Sequence, residues 1–340
     1  MKKPSNIINN YQDTIFTEKG IIDFRKYYSR IKHNAESISK KTRCAICGEE
    51  ASSFCNSHLI PRFVLERITF NGKLVIGKMV ANYPFSDKEQ GINNATTFKC
   101  ICKQCDNEKF QDYENEQTYR EEISSKILNQ ISIKNYLSSY SKQIVECEQY
   151  KMIIGENNRY SLIYQLDADY SLKAIKSELK GKKHYLIANI YLKYTVPLAF
   201  QGELCLLTGF DGETINEYVT GKSDYNPHVL HIAVFPLSFG TKILMFINDG
   251  DTKYRMFYKR FRSLSLEEQL YVINYIILLY KDDWALSPLF KDKLNDFDTT
   301  SLVKTTQIFN GLQIHTKDVV DNFRIKTSGG VHNFLMDCLK

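Results

Sequence analysis

Cys44-Ala45-Ile46-Cys47 and Cys102-Lys103-Gln104-Cys105 are two C-x-x-C pairs that bracket the run Ser57-His58-Leu59-Ile60-Pro61. The two-residue loop in each pair lets both thiolates reach one ion, so Cys44, Cys47, Cys102 and Cys105 suit a closed tetrahedral Zn2+ site. Cys55 and Cys100 lie beside the knuckles, and the spacing favours Cys102 with Cys105 over either. Cys147, Cys205 and Cys338 are isolated and read as small buried hydrophobes. His58, enclosed between the knuckles, has an ordinary pKa of ~6.5, so it is largely neutral at pH 7 and able to take a proton. His33, His184, His228, His231, His315 and His332 have no ligand spacing and read as structural or surface residues.

Residues 43–108 resemble the zinc-stapled branch of the HNH, or ββα-metal, endonucleases. The likeness rests on Arg43-Cys44-Ala45-Ile46-Cys47-Gly48, on Phe54-Cys55-Asn56-Ser57-His58-Leu59-Ile60-Pro61, and on Phe98-Lys99-Cys100-Ile101-Cys102-Lys103-Gln104-Cys105-Asp106-Asn107-Glu108. The resemblance implies metal-dependent hydrolysis of phosphodiester bonds, with His58 as the base that activates water. It places the catalytic ion, Mg2+ or Mn2+, at Asp106 first and Asn107 second, where most of the family has a histidine. Ser57 stands where a second ligand, commonly Asp, is usual, and Asp112 or Glu114 would have to supply further oxygen. Asp106 could equally be a helix N-cap. The middle Asn of the motif has no clear counterpart; Asn93, Asn94 and Thr97 are the nearest positions.

The expected substrate is DNA, with RNA as the other nucleic acid, and the expected role is that of a restriction or phage-defence (antiviral) effector. A catalytically inactive zinc-stabilised module, binding nucleic acid or protein as a subunit of a larger complex, is the alternative. Arg62, Arg67, Lys99, Lys103 and Lys109 flank the motif and would contact phosphates without reading sequence. A rival nuclease signal, Glu178-Leu179-Lys180 with Asp167 or Asp169 upstream, is short enough to arise by chance.

These groups must be positioned by a chain of 340 residues, with 43% hydrophobic and 25% charged residues, which predicts two soluble globular domains. A net charge of +6 favours a polyanionic partner without establishing one. Met1-Lys2-Lys3-Pro4-Ser5 opens without the apolar stretch of a secretory signal, and Leu270–Tyr280 is too short to span a membrane, so the expectation is cytoplasmic.

The chain divides into an N-terminal helical arm over 1–40, an HNH-like zinc-bound module of treble-clef type over 41–140, and an α+β domain with antiparallel sheet over 141–340. The last would select a target, bind a protein partner or sense a signal. The pattern predicts a helix near Ile21–Tyr28 and one long helix from Asp106 past Ile127. It predicts strands over 160–166, 184–194, 204–207, 229–235, 243–247 and 254–258, with hairpin turns at Ser238-Phe239-Gly240 and Asp249-Gly250. Ser265 and Glu268 form a capping box that opens a buried helix running to about Tyr280, and helical, irregular chain follows Pro288.

Overall fold

The computed structural model describes residues 18–80, 83–85, 89–210, 212–217, 225–280, 283–294 and 332–339. In chain order the elements are α1 (Glu18–Ile38), β1 (Ser57–His58), α2 (Arg62–Ile68), β2 (Lys73–Ile76), β3 (Lys78–Val80), β4 (Tyr83–Phe85), β5 (Glu89–Gly91) and β6 (Thr97–Phe98). There follow α3 (Lys103–Lys109), α4 (Ser125–Ile154), α5 (Arg159–Glu178), β7 (His184–Leu192), β8 (Leu198–Leu204), β9 (Leu230–Leu237), β10 (Gly240–Asn248), α6 (Arg255–Arg262), α7 (Leu266–Tyr280) and β11 (Ala285–Leu286).

The centre is an antiparallel seven-stranded sheet in the order β5-β2-β11-β8-β9-β10-β7. Successive side chains of a strand point to opposite faces, and here both faces are covered. Ile232, Val234, Ile243, Met245 and Ile247 pack with Phe257 and Phe261 of α6 and with Ile273, Ile276 and Ile277 of α7. Ala233, Phe235, Leu237, Leu244 and Phe246 pack on the other face with Cys44, Cys105, Tyr113 and Tyr119 and with α4. Strands β2 and β5, from before residue 140, thus share one sheet with β7 to β11, and α4 runs through that position. The fold is mixed α+β.

Strands β7, β9 and β10 lie where alternation predicts them, and Ser238-Phe239 turns β9 into β10. The capping box is present: Glu268 N–H donates to Ser265 Oγ at 3.3 Å and Ser265 N–H to Glu268 Oε2 at 2.8 Å. Helix α1 is longer than its amphipathic stretch indicates. No helix among the described residues is long and apolar enough to cross a membrane.

Other expectations are corrected. Residues 160–166 belong to α5, which Asn158 caps by accepting from Ser161 N–H at 2.8 Å. Tyr160 and Tyr164 are four apart, the helical spacing, and both stack on Tyr150 with centroids 5.2 Å away. Residues 255–258 are helical as part of α6, because Phe257 and Phe261 enter the core one turn apart. The chain leaves the sheet at Leu204, so the strand expected over 204–207 ends where it was to begin. Asp249-Gly250 leads from β10 into α6 instead of closing a hairpin. Cys205 and Cys338 are exposed, whereas Cys147 is buried. Of the irregular tail, Pro288–Leu294 is a 3-10 turn and 295–331 lie outside the described residues.

The long helix predicted from Asp106 is broken into α3, a 3-10 turn at Glu116–Arg120, and α4. Burial of aromatics breaks it. Phe110, Tyr113 and Tyr119 are all fully buried, on positions that no single straight helix presents to one core. The Gln130 side chain replaces the lost helical bonds, accepting from Tyr113 N–H at 3.0 Å and donating to Lys109 carbonyl at 2.7 Å. Tyr113 OH meets Gln201 Oε1 at 2.8 Å and also donates to Leu59 carbonyl, tying the turn to β8 and to the segment that follows β1.

Candidate metal centre and histidine site

The first knuckle is a turn closed by Gly48 N–H donating to Cys44 carbonyl at 2.9 Å, with Gly48 at φ 74°. That backbone angle favours glycine. Ala45 N–H donates to Cys100 carbonyl at 2.9 Å and Cys55 N–H to Ile101 carbonyl at 3.1 Å, which brings the first knuckle against the second. Cys102 is the N-cap of α3, its sulfur accepting from Cys105 N–H at 3.5 Å, while Cys102 N–H reaches Cys44 Sγ at 3.4 Å.

The sulfurs of Cys44, Cys47, Cys102 and Cys105 all lie within 4.8 Å of one another. Zn–S bonds of about 2.3 Å in a tetrahedron place sulfurs about 3.8 Å apart, so the four could hold a metal ion such as zinc. Burial would raise the Cys44 thiol, but N–H groups of Cys102, Cys47 and Ile46 bring it down to about 7. Cys55 and Cys100 stand outside the cluster. Their thiols meet the carbonyls of Ile101 at 3.3 Å and Leu137 at 3.5 Å. Burial pushes Cys55 up to about 12 and Cys100 further still.

Strand β1 pairs antiparallel with β6, Ser57 opposite Phe98 and His58 opposite Thr97, and α3 follows four residues after β6. Leu59 N–H donates to Thr96 carbonyl at 2.8 Å. Thr96 itself has φ 49°, a costly angle for a β-branched residue, and its buried hydroxyl has no hydrogen-bond partner among the described residues. His58 Nε2 lies 3.0 Å from Ile92 carbonyl. A carbonyl only accepts, so Nε2 carries the proton and Nδ1 holds the lone pair. Burial lowers the His58 pKa, and the charges of Lys134 and Arg62 lower it further, against the Ile92 carbonyl and Asp106.

Adjacent residues on a strand face opposite ways, and Ser57 turns inward to Asp106. Ser57 Oγ donates to Asp106 Oδ1 at 2.8 Å. Between them sits Lys134 of α4, 1% exposed, whose ammonium donates to Ser57 Oγ at 2.7 Å and to Asp106 Oδ1 at 2.8 Å. Glu114 Oε1 is 3.6 Å from the same nitrogen. Burial would raise the Asp106 carboxyl, but Lys134, Ser57 and Cys55 outweigh it and hold it below its usual range. Glu114 is raised by burial in spite of Lys134.

Among the expected residues the fold therefore joins Ser57 to Asp106 and brings Glu114 beside them. Asp106 lies in the first turn of α3, whose N-cap is Cys102, so the N-cap reading of Asp106 is corrected. Asn107 is exposed on α3, and Asp112 pairs with Lys126 instead. The His58 ring meets the Ile92 carbonyl; Asn93 Oδ1 accepts from Arg62 at 3.3 Å, and its carbonyl from Asn56 at 2.8 Å. Arg67 is paired with Glu116 at 3.6 Å, while Lys99, Lys103 and Lys109 are exposed. Glu178 of the rival motif is buried and receives Asn129 Nδ2 at 2.7 Å. Lys134 escaped the sequence reading, although a lysine in Ile131-Ser132-Ile133-Lys134-Asn135-Tyr136-Leu137 was a signal that a buried partner must exist. No protein-family model, curated protein or solved structure matches the chain.

Proposed function

We propose that the chain is a nuclease that hydrolyses phosphodiester bonds of DNA, with His58 as general base, in the manner of the zinc-stapled HNH endonucleases it resembles. The seat of His58 carries this reading. It lies on β1, which pairs with β6, the strand that leads into α3 and its two cluster cysteines, with Nε2 tied to Ile92 carbonyl and Nδ1 left to accept a proton. In the step, Nδ1 takes a proton from water, the water oxygen bonds to phosphorus, the P–O3′ bond breaks, and the leaving oxygen takes a proton from solvent. Arg62, exposed at the start of α2 and paired through Nε with Glu66 at 2.8 Å, is the cation that would hold the phosphate.

Zinc at Cys44, Cys47, Cys102 and Cys105 would lock the first knuckle to the start of α3 and take no part in the reaction. The catalytic Mg2+ or Mn2+ expected at Asp106 and Asn107 is a poorer fit. Oδ1 of Asp106 already accepts from an ammonium and a hydroxyl, and Asn107 is not drawn into that cluster. No step is routed through such an ion. A restriction or antiviral effector is the context that the resemblance suggests, with residues 141–340 choosing the target or partner.

One observation favours the second reading, a zinc-stabilised nucleic-acid- or protein-binding module without activity: the carboxylate that would serve catalysis is neutralised by Lys134. Nicking of supercoiled DNA by wild type and His58→Ala decides between them. The nuclease reading expects wild type to nick and His58→Ala to lose about 10²–10⁴-fold, with zinc content unchanged. Equal nicking by both removes His58 as base, and DNA retention without nicking by either selects the binding module.

A further inference from the structure

The Lys134 ammonium is held by oxygen and by rings. Besides Ser57, Asp106 and Glu114, it lies 4.3 Å from the ring centroid of Phe110, 5.6 Å from Tyr113 and 5.8 Å from Phe98. A buried ammonium is tolerated where carboxylates and aromatic faces replace its water, and this cage supplies both. Mg2+ binds oxygen at about 2.1 Å, so an ion on Asp106 Oδ1 could lie no farther than about 5 Å from the buried Nζ, where like charges repel. At that oxygen the ammonium and a divalent ion compete for one place.

We propose that Lys134 is the resident cation of this site, filling the place at Ser57, Asp106 and Glu114 that a divalent ion would otherwise take. Lys134 is a positioning residue: it touches Ser57 and Asp106, and through them fixes β1 against α3. On the nuclease reading above, cleavage by His58 then needs no added Mg2+ or Mn2+. The binding part of the proposal stands apart from that reading.

The test is Mn2+ uptake by zinc-loaded protein at millimolar Mn2+, read from the electron paramagnetic resonance of free Mn2+, in wild type, Asp106→Asn and Lys134→Met. Wild type and Asp106→Asn should take up equal amounts, and Lys134→Met should take up one further ion per chain. A wild-type ion that disappears in Asp106→Asn overturns the proposal, as does a folded Lys134→Met that gains none. Should Lys134→Met not fold, the wild-type and Asp106→Asn comparison alone decides. In nicking assays with zinc-loaded protein, rates with and without Mg2+ should agree within twofold; a tenfold stimulation overturns the proposal. Absence of nicking under both conditions counts against the nuclease reading and leaves the Mn2+ measurement to judge Lys134.

Discussion

His58 and Lys134 show how burial is turned to opposite uses. Burial lowers the His58 pKa because the imidazolium loses water, and among the described residues no carboxylate is bonded to the ring to restore it. The ring is therefore an available base through neutral pH. The rate of nicking should rise with pH and level off, with its midpoint below the ordinary value of ~6.5. A midpoint above that value would mean that another group is the base. The same shift links to stability: a folded-state pKa below the unfolded one disfavours protonation of the folded chain, so this contribution is present above the unfolded pKa and lost as pH falls. For Lys134, removal of the charge without its shape differs from removal of both. Lys134→Ala leaves the Asp106 carboxylate without its ammonium and a cavity among Phe98, Phe110 and Tyr113; because Asp106 is 24% exposed, the cost should fall near the lower end for a broken buried pair, about 3 kcal/mol in urea unfolding. Lys134→Met should lose less.

Among the elements, the turn between α3 and α4 stands where sequence periodicity predicts continuous helix, and one side chain holds two of its backbone groups. Gln130 satisfies Tyr113 N–H and Lys109 carbonyl together. Gln130→Leu keeps the volume but leaves two backbone groups without partners, which should cost about 2 kcal/mol by chemical denaturation. A loss below about 0.5 kcal/mol would show that water or a neighbour replaces the amide. A second junction lies where β2 ends. Gly77 N–H donates to Trp284 carbonyl at 2.9 Å, and a Cβ at Gly77 would lie 2.1 Å from the Trp284 ring. Gly77→Ala must drive Trp284 out of the core beside β11, with an expected cost of about 3 kcal/mol or more.

Over the whole molecule, the cysteine cluster and the sheet share a core, since Cys44 and Cys105 belong with Phe235, Leu244 and Phe246 to one packed set. Metal removal should therefore be felt well beyond the knuckles. Wild-type protein should carry one zinc per chain by elemental analysis, and chelation should lower the melting temperature of a single transition. Two separate transitions, only one of them sensitive to chelator, would show that the two faces of the sheet fold independently. Residues 141–340 expressed alone would lack β2, β5 and the first half of α4, leaving β11 with one neighbour and Phe235, Leu244 and Phe246 uncovered. That fragment should be insoluble or molten.

What the sequence determined by itself was chemistry that depends on short spacing. A C-x-x-C pair carries its own geometry, so the grouping of Cys44, Cys47, Cys102 and Cys105 was legible, as were β7, β9 and β10 from alternation and the start of α7 from Ser265 and Glu268. What only the tertiary structure decided was which charges meet across long separations. Lys134 lies 28 residues from Asp106 and 77 from Ser57, and nothing local to any of them specifies the encounter. The burial of Phe110, Tyr113 and Tyr119 likewise overrode helical continuity, because the free energy of burying three rings exceeds the modest preference of the intervening residues for a helix.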